Sequence, residues 1–269
     1  MVCFPHCKIN LGLRVISKRE DGYHNIDTCF YPIPWTDVLE IVPAKTISFT
    51  NTGIPIPGKP EQNLCLRAYY LIAEEFDIAP VSIHLHKVVP MGAGLGGGSS
   101  DAAFTLKLLN DIFELDISDD QLKNFAAQLG SDCAFFVDDK PMLGSGRGEI
   151  LDTINISLKG KHLVIAKPDV HISTAEAYQG ITPKMPVQDV RNIVENTTIE
   201  NWSGVLVNDF EDSVFSQHPI IVEIKQRFYD EGAVYASMSG SGASVFGIFD
   251  KPKDLKHKFD QFTYWSGAL

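Results

Sequence analysis

Pro90-Met91-Gly92-Ala93-Gly94-Leu95-Gly96-Gly97-Gly98-Ser99-Ser100-Asp101 is the stretch on which the fold of this chain turns. Five glycines fall within seven residues. So dense a cluster builds a poor core, because glycine loses more backbone entropy on ordering than any other residue. Its natural use is to let a backbone pass very close to something else. Ala102, Ala103, Phe104, Leu106, Leu108 and Leu109 follow in a helical pattern. A helix start directly behind the glycines points unpaired first-turn N–H groups and the positive end of the helix dipole at one spot, which suits a phosphate.

Before the loop, Val81, Ile83 and Leu85 alternate with Ser82, His84 and His86, predicting a strand that ends at Val88-Val89-Pro90. Upstream of that strand, residues 63–76 predict an amphipathic helix capped by Asn63, and residues 51–60 a proline- and glycine-rich loop. Strand-like runs lie at 26–31, 37–42 and 46–49. Residues 2–15 alternate, with His6, Lys8, Asn10 and Arg14 on one face, which predicts a half-buried strand. On that pattern alone Lys8 is a solvated strand lysine. Asp21-Gly22 marks a hairpin turn. After the loop, the helix should end near Asn110. Ser118-Asp-Asp-Gln121 is a capping box opening a second helix that stops at Gly130. Asp132 follows at an element's edge, where an acid is either a cap or a functional group. Gly144–Gly148 reads as a flexible loop.

Near residue 155 the pattern restarts, giving an expected division into 1–155 and 156–269. His162–Ala166 reads as a strand, Ser173-Thr-Ala-Glu176 as a second capping box. Helices are expected near 187–195, 219–230 and 252–262, and strands at 233–238 and 244–249, joined by Ser239-Gly240-Ser241-Gly242-Ala243. Strands and helices interleave, so the class is α+β.

Composition excludes several functions. A formal net charge of -11 argues against broad binding to nucleic acid or anionic membrane. No apolar run reaches membrane-spanning length and the first residues lack signal-peptide character, so the expected location is the cytoplasm. Five cysteines (Cys3, Cys7, Cys29, Cys65, Cys133) without a Cys-x-x-Cys pair suggest free thiols, not a disulfide framework or a zinc site.

Gly92-Ala-Gly94-Leu-Gly96-Gly97 also satisfies the G-x-G-x-x-G dinucleotide fingerprint. The preceding strand alternates, whereas a central parallel strand is apolar on both faces, and no strand follows to complete a βαβ unit. No lysine stands before Ser99-Ser100, which excludes a Walker A loop. There is no His-Arg-Asp loop, and Asp209-Phe210-Glu211 is not Asp-Phe-Gly, which disfavours a protein kinase.

The stretch from Pro90 to Ala103 resembles the central motif of the GHMP kinases. Further segments along the chain fit the same family: Lys8-Ile-Asn10-Leu-Gly-Leu, Arg19-Glu-Asp-Gly-Tyr23-His24, Gly130-Ser-Asp132, Ser173-Thr-Ala-Glu-Ala-Tyr178, Asn208-Asp209-Phe-Glu211 and Met238-Ser-Gly-Ser-Gly-Ala243. The resemblance implies two domains. The N-terminal one is a ribosomal-S5-domain-2-like sheet with helices on one side, the C-terminal one is ferredoxin-like, and the active site lies in the interdomain cleft. Asp-Gly-Tyr-His selects a member whose acceptor is a cytidine diphosphate-linked methylerythritol. A mevalonate- or homoserine-type acceptor has no base to stack, and a nucleotide-binding regulator without turnover has no need of Lys8 and Asp132.

By the same resemblance ATP is the phosphoryl donor and Mg2+ accompanies it, with no ligand set evident. Pro90, Met91, Gly92, Ala93, Gly94, Leu95, Gly96, Gly97, Gly98, Ser99 and Ser100 would wrap the phosphates. Lys87 would reach phosphate or ribose, and Asn63 would contact adenine or simply cap its helix. Asp132 matches the catalytic aspartate and Lys8 its paired lysine. Asn10 would fix the substrate. Tyr23 and His24 match the cytidine pocket and Tyr178 the opposite stacking aromatic, with Thr174 close by. Gly240 and Ser241 would offer backbone donors to the diphosphate. The family's proline two residues beyond the aspartate is Ala134 here. The expected assembly is a monomer or homodimer.

Overall fold

The computed structural model describes residues 1–269. The chain divides into two compact units, each discontinuous in sequence. The first holds Met1–Cys7, Trp35–Met91 and Gly96–Lys140; the second holds Lys8–Pro34, Gly92–Leu95 and Pro141–Leu269. These lines differ from the expected cut near residue 155: the glycine stretch itself changes unit between Leu95 and Gly96.

The first unit is built on a four-stranded sheet of β1 (Val2–Cys3), β4 (Val38–Pro43), β6 (Val81–Lys87) and β5 (Ser48–Gly53), in that order. β4 pairs antiparallel with β1 and β6, and β5 runs parallel to β6. β6 alternates as its sequence demands: Val81, Ile83 and Leu85 are buried, while His86 is exposed. Lys87 shares the parity of the apolar set and is buried with it. Helix α1 (Leu64–Glu75) opens at Asn63, whose side chain accepts from the Cys65 N–H at 2.9 Å. Helix α2 (Gly97–Phe113) follows the glycines, with Ala102, Ala103, Leu106 and Leu109 inward. The Ser118/Gln121 capping box opens α3 (Asp119–Leu129), and α4 (Phe135–Asp138) is a single turn behind Asp132.

The second unit carries two sheets. One has the order β2 (His6–Lys18), β3 (His24–Thr36), β7 (Met142–Ser145), β8 (Ile150–Thr153). The turn between β2 and β3 is the expected one, with Gly22 at φ +84°. Residues 144–148 are not a free loop: Gly144 and Ser145 sit in β7, which pairs with β8. Gly144 is required there, because a Cβ would lie 2.4 Å from the Phe30 ring. β2 also departs from expectation. It is buried on both faces from His6 to Leu13, with Lys8 at 3% and Asn10 at 2% exposure. A polar face can be buried only if its groups find partners, and these find them in distant loops, as described below.

The other sheet has the order β10 (Tyr235–Met238), β11 (Val245–Phe249), β9 (His162–Lys167), β12 (Thr263–Ala268), all antiparallel. Helices α5 (Thr174–Gln179), α6 (Val190–Asn196), α7 (Phe210–Gln217) and α8 (Pro219–Asp230) belong to the same unit. Ser173 caps α5 by accepting from Glu176 N–H at 3.1 Å. Phe210, Val214, Ile221, Ile224 and Phe228 from α7 and α8 pack with Val164, Ala236 and Val245 of the sheet in one core. The helix expected over 252–262 does not form. Only a short 3-10 turn at Lys256–Lys258 appears, and the chain then runs into β12, whose Thr263, Tyr264 and Trp265 suit a strand. β12 covers the open side of β9, from Thr263 opposite Lys167 to Ala268 opposite His162.

Candidate active site

Each unit carries its own share of the candidate residues. In the second unit the organising atom is the carbonyl oxygen of Gly94. It accepts from Lys8 Nζ at 3.1 Å and from Ser239 Oγ at 2.8 Å. Lys8 Nζ also donates to Asn10 Oδ1 at 2.6 Å and stands over the Phe30 ring at 5.3 Å. Asn10 Nδ2 donates to Thr28 Oγ1 at 2.9 Å, and that hydroxyl donates onward to the Gly12 carbonyl at 2.5 Å. The Asn10 N–H donates to Ser239 Oγ at 3.2 Å, and the Lys8 N–H to the Leu95 carbonyl at 2.9 Å. Three segments far apart in sequence, 8–10, 94–95 and 239–240, are thereby stitched together. Lys8 is not the solvated lysine that its strand pattern alone suggested.

The backbone of the loop explains its glycines. Gly92, Gly94 and Gly96 take φ of +58°, +74° and +69°. Between them Ala93 and Leu95 point inward, at 2% and 1% exposure, and anchor the loop. Alternating left-handed residues turn successive N–H groups toward one side, the geometry that holds anions. At Gly94 no side chain fits at all, since a Cβ would lie 1.8 Å from the Ser239 carbonyl oxygen.

The 239–242 turn is held from below by residues the sequence reading quoted only as part of the resemblance. Asn208 Nδ2 donates to the carbonyls of Met238 and Gly240, both at 2.8 Å. Glu211 accepts from Met238 N–H at 2.8 Å, Ser237 Oγ at 3.0 Å and Lys225 Nζ at 2.6 Å. Gly240 is buried by this clamp and Ser241 half-buried beside it.

The aromatic candidates pair differently from expectation. His24 stacks on Tyr178, with centroids 4.6 Å apart and planes 13° from parallel. Tyr178 also meets Phe210 edge-on at 4.8 Å and packs against the core. Tyr23 is 55% exposed, and the Arg147 guanidinium lies over its ring at 5.0 Å. Arg147 was missed because it sits in a stretch that reads as a plain glycine loop. Burial, and then the nearby Lys18 charge, hold the His24 imidazole below its ordinary range, so it is neutral at pH 7 and offers one donor and one acceptor. Thr174 is exposed at the start of α5.

In the first unit, α2 begins at Gly96 with no side-chain cap, so its first-turn N–H groups have no side chain competing for them. Gly98 faces open space, with Leu64 at 4.0 Å from a would-be Cβ. Ser99 hydrogen-bonds the Cys133 thiol, which burial pushes up to about 12, leaving it inert. Ser100 Oγ is buried with no partner. Asp132 is half-buried in the turn before α4, and the N-cap of that helix is Ala134 without a side-chain cap bond. Asn63 spends its Oδ1 on the α1 cap. Lys87 corrects the sequence reading: its ammonium does not reach out toward phosphate or ribose but is 1% exposed between Asp37 (2.5 Å) and Asp101 (2.8 Å). No group of three or more His, Cys, Asp or Glu side chains is arranged to hold a metal, and no helix is long and apolar enough to cross a membrane.

Comparison with known proteins places this arrangement. The family model described as "GHMP kinases N terminal domain" matches residues 63–140, and "GHMP kinases C terminal" matches residues 185–264. A protein of Parabacteroides distasonis named 4-diphosphocytidyl-2-C-methyl-D-erythritol kinase is 49% identical over 271 residues, covering 100% of both chains. One of the same name from Bacteroides thetaiotaomicron is 52% identical over 254 residues, covering 93% of this chain and 92% of its own.

The chain belongs to the GHMP kinases, in their 4-diphosphocytidyl-2-C-methyl-D-erythritol kinase branch.

The crystal structure of a 4-(cytidine 5'-diphospho)-2C-methyl-D-erythritol kinase aligns with 100% of this chain and 98% of its own at TM-score 0.82 and 29% identity. A homoserine kinase from Cytophaga hutchinsonii aligns at TM-score 0.68 with 18% identity, a likeness of fold alone. The two-domain GHMP kinase fold and kinase activity are thus properties of the chain. The dinucleotide fingerprint in its loop is a coincidence of glycine spacing.

Proposed function

We propose that this GHMP kinase transfers the γ-phosphoryl group of ATP to the 2-hydroxyl of 4-diphosphocytidyl-2-C-methyl-D-erythritol, in the non-mevalonate route to isoprenoid precursors. The observation that carries the proposal is full-length identity near one half to relatives bearing that name. The glycine-rich backbone from Pro90 to Ser100 receives the ATP phosphates through its N–H groups and the start of α2. Asp132 accepts the proton of the attacking hydroxyl or orients it. Lys8, held in place by Asn10 and Gly94, supplies positive charge to the transferred group. His24, Tyr178 and Tyr23 take the cytosine by stacking and by edge hydrogen bonds, with Thr174 nearby and the 239–242 turn on the diphosphate. His24 and Tyr178 lie face to face, so the base meets an aromatic pair already stacked, on an outer face or between the two rings.

Magnesium belongs to this proposal as the partner of the ATP phosphates. An ion held mainly by phosphate oxygens and water needs no protein cage, and the unpartnered Ser100 hydroxyl is the protein oxygen that would hold it. Its chemistry is to neutralise phosphate charge. A cytoplasmic enzyme, monomer or homodimer, completes the reading, and sedimentation decides between the two assemblies. The test is a coupled ATP-turnover assay that compares the cytidyl alcohol with mevalonate, homoserine and galactose, with phosphorus NMR of the product. Turnover confined to the cytidyl alcohol, with phosphate on the 2-hydroxyl, is expected. Comparable turnover of mevalonate or homoserine would overturn the substrate assignment.

A further inference from the structure

Wholly within the first unit lies a buried ionic group: Lys87 at the end of β6, Asp37 just before β4, and Asp101 in α2. Their exposures are 1%, 0% and 2%. Lys87 Nζ donates to Asp37 Oδ2 at 2.5 Å and to Asp101 Oδ2 at 2.8 Å. Asp37 Oδ1 accepts the N–H groups of Val88 at 2.6 Å and Val89 at 2.8 Å, the two residues that lead into the loop. The Lys87 carbonyl accepts from Ile54 N–H at 2.8 Å. On the far side of the loop, a Cβ at Gly97 would lie 3.0 Å from Lys87 Nζ, so the first residue of α2 rests directly on the ammonium.

Burying three ionisable groups is costly, and an apolar cluster of the same volume is often at least as stable. A group of this kind is therefore poorly explained by stability alone. What it fixes is geometry. The loop from Pro90 to Gly96 is suspended between two anchors, the Val88–Val89 amides and the start of α2, and one ammonium ties both together. Two acids share one base. Burial, the largest influence, pushes the Asp101 carboxyl up to about 7, against the pull of Lys87.

We propose that Lys87 is a positioning residue for nucleotide phosphate: by holding Asp37 and Asp101 together it sets the span between the end of β6 and the start of α2 before ATP arrives. This rests on the reading that the glycine loop receives the ATP phosphates. Lys87 acts through the two aspartates and touches no ligand. Its mate Asp101 stands within the glycine motif itself, so the motif carries its own anchor.

Two measurements test this. In the wild type, hydrogen exchange followed by NMR should find the Val88 and Val89 amides as slow as the core of β6 with no nucleotide present. If they exchange rapidly until ATP is added, the loop is not preset and the inference falls. Lys87→Met alone strips two buried carboxylates of their partner and is expected to unfold the chain. The double variant Lys87→Met with Asp101→Leu removes one positive and one negative group together, so the net charge of the cluster is unchanged, and leaves Asp37 its two backbone amides. It should fold, with ATP KM raised about tenfold or more, the KM for the alcohol unchanged, and faster exchange at Val88, Val89 and the first turn of α2. A folded double variant with wild-type ATP KM would reduce the triad to a structural ion pair and overturn the proposal. Calorimetry of ATP on the wild type separates the two readings. No binding there would overturn the functional assignment and this inference with it, whereas binding combined with either adverse result overturns the inference alone.

Discussion

Gly94→Ala is the sharpest test of how the loop is built. The new Cβ would sit 1.8 Å from the carbonyl oxygen of Ser239 and 2.7 Å from its carbon, so loop or turn must retreat by roughly 1.5 Å to reach ordinary contact. The residue also stands at φ +74°, where alanine is strained by about 1–2 kcal/mol. Retreat breaks the two hydrogen bonds that meet on the Gly94 carbonyl. The one from Ser239 is worth about 1 kcal/mol, and the one from the Lys8 ammonium about 1.5–3 kcal/mol. Together the change costs about 4–6 kcal/mol locally. At about 2–4 °C per kcal/mol for a chain of this size, Tm should fall by about 10–20 °C. Activity should fall further than the folded fraction, since Lys8 loses a partner that orients it. Differential scanning calorimetry and the coupled turnover assay read both effects. Gly98→Ala is the internal control: φ there is ordinary for a helix and the nearest atom is 4.0 Å away, so Tm should hold or rise by a few degrees. A Gly94→Ala protein with wild-type Tm and kcat would refute the stitched loop. So would an equal fall in Tm from both substitutions.

Other substitutions separate the roles of the remaining residues. Asp132→Asn should keep Tm and ATP binding while kcat drops by about 10²–10⁴; a mutant retaining near-full turnover would remove the proton-acceptor role. His24→Ala should raise the KM of the cytidyl alcohol about two- to tenfold, as loss of one stacking partner allows, with the ATP KM unchanged, and an equal rise in both would count against a base pocket. The His24 imidazole should titrate below 6.5 by NMR, because burial and Lys18 disfavour its charged form. Its contribution to stability is therefore complete above the unfolded value and is lost as pH falls through the folded one. A midpoint at or above 6.5 would contradict the packing on Tyr178. Asn208→Ala frees the carbonyls of Met238 and Gly240 and should cost about 2 kcal/mol by chemical denaturation; a neutral result would mean that Glu211 alone holds the turn.

Local pattern carried most of the fold. The α1 and α3 caps, the Asp21-Gly22 hairpin turn and the alternation of β6 are dictated by neighbours within a few residues, and they form as read. Failures occur where a distant partner decides. Lys8 looks solvated along β2, on the polar face that it shares with Asn10, because the partners of these two residues, Gly94 and Ser239, lie 86 and 229 residues away. The last segment, 252–262, has helical composition, but its continuation is drawn into the sheet by the open side of β9. Lys87 was legible and was misread. It has the same parity as Val81, Ile83 and Leu85, so its side chain belonged on the buried face from the start, and a lysine buried there required acids such as Asp37 and Asp101. Arg147 left no signal, since nothing local distinguishes a loop arginine that covers a tyrosine from one that does not.

The stitching around Gly94 has a consequence for biosynthesis. Gly94 and Ser239 are 145 residues apart, and translation adds about 5–20 residues per second, so roughly 7–30 s separate their emergence from the ribosome. During that interval the 92–95 segment has no 239–240 turn to rest on. Glycine-rich backbone of this kind gains order only from what surrounds it. The nascent chain therefore carries a 92–95 segment without this support until nearly all of the sequence is made. On the proposed function, a chain interrupted before β10 would offer nucleotide a loop whose 92–95 segment lacks its 239–240 support.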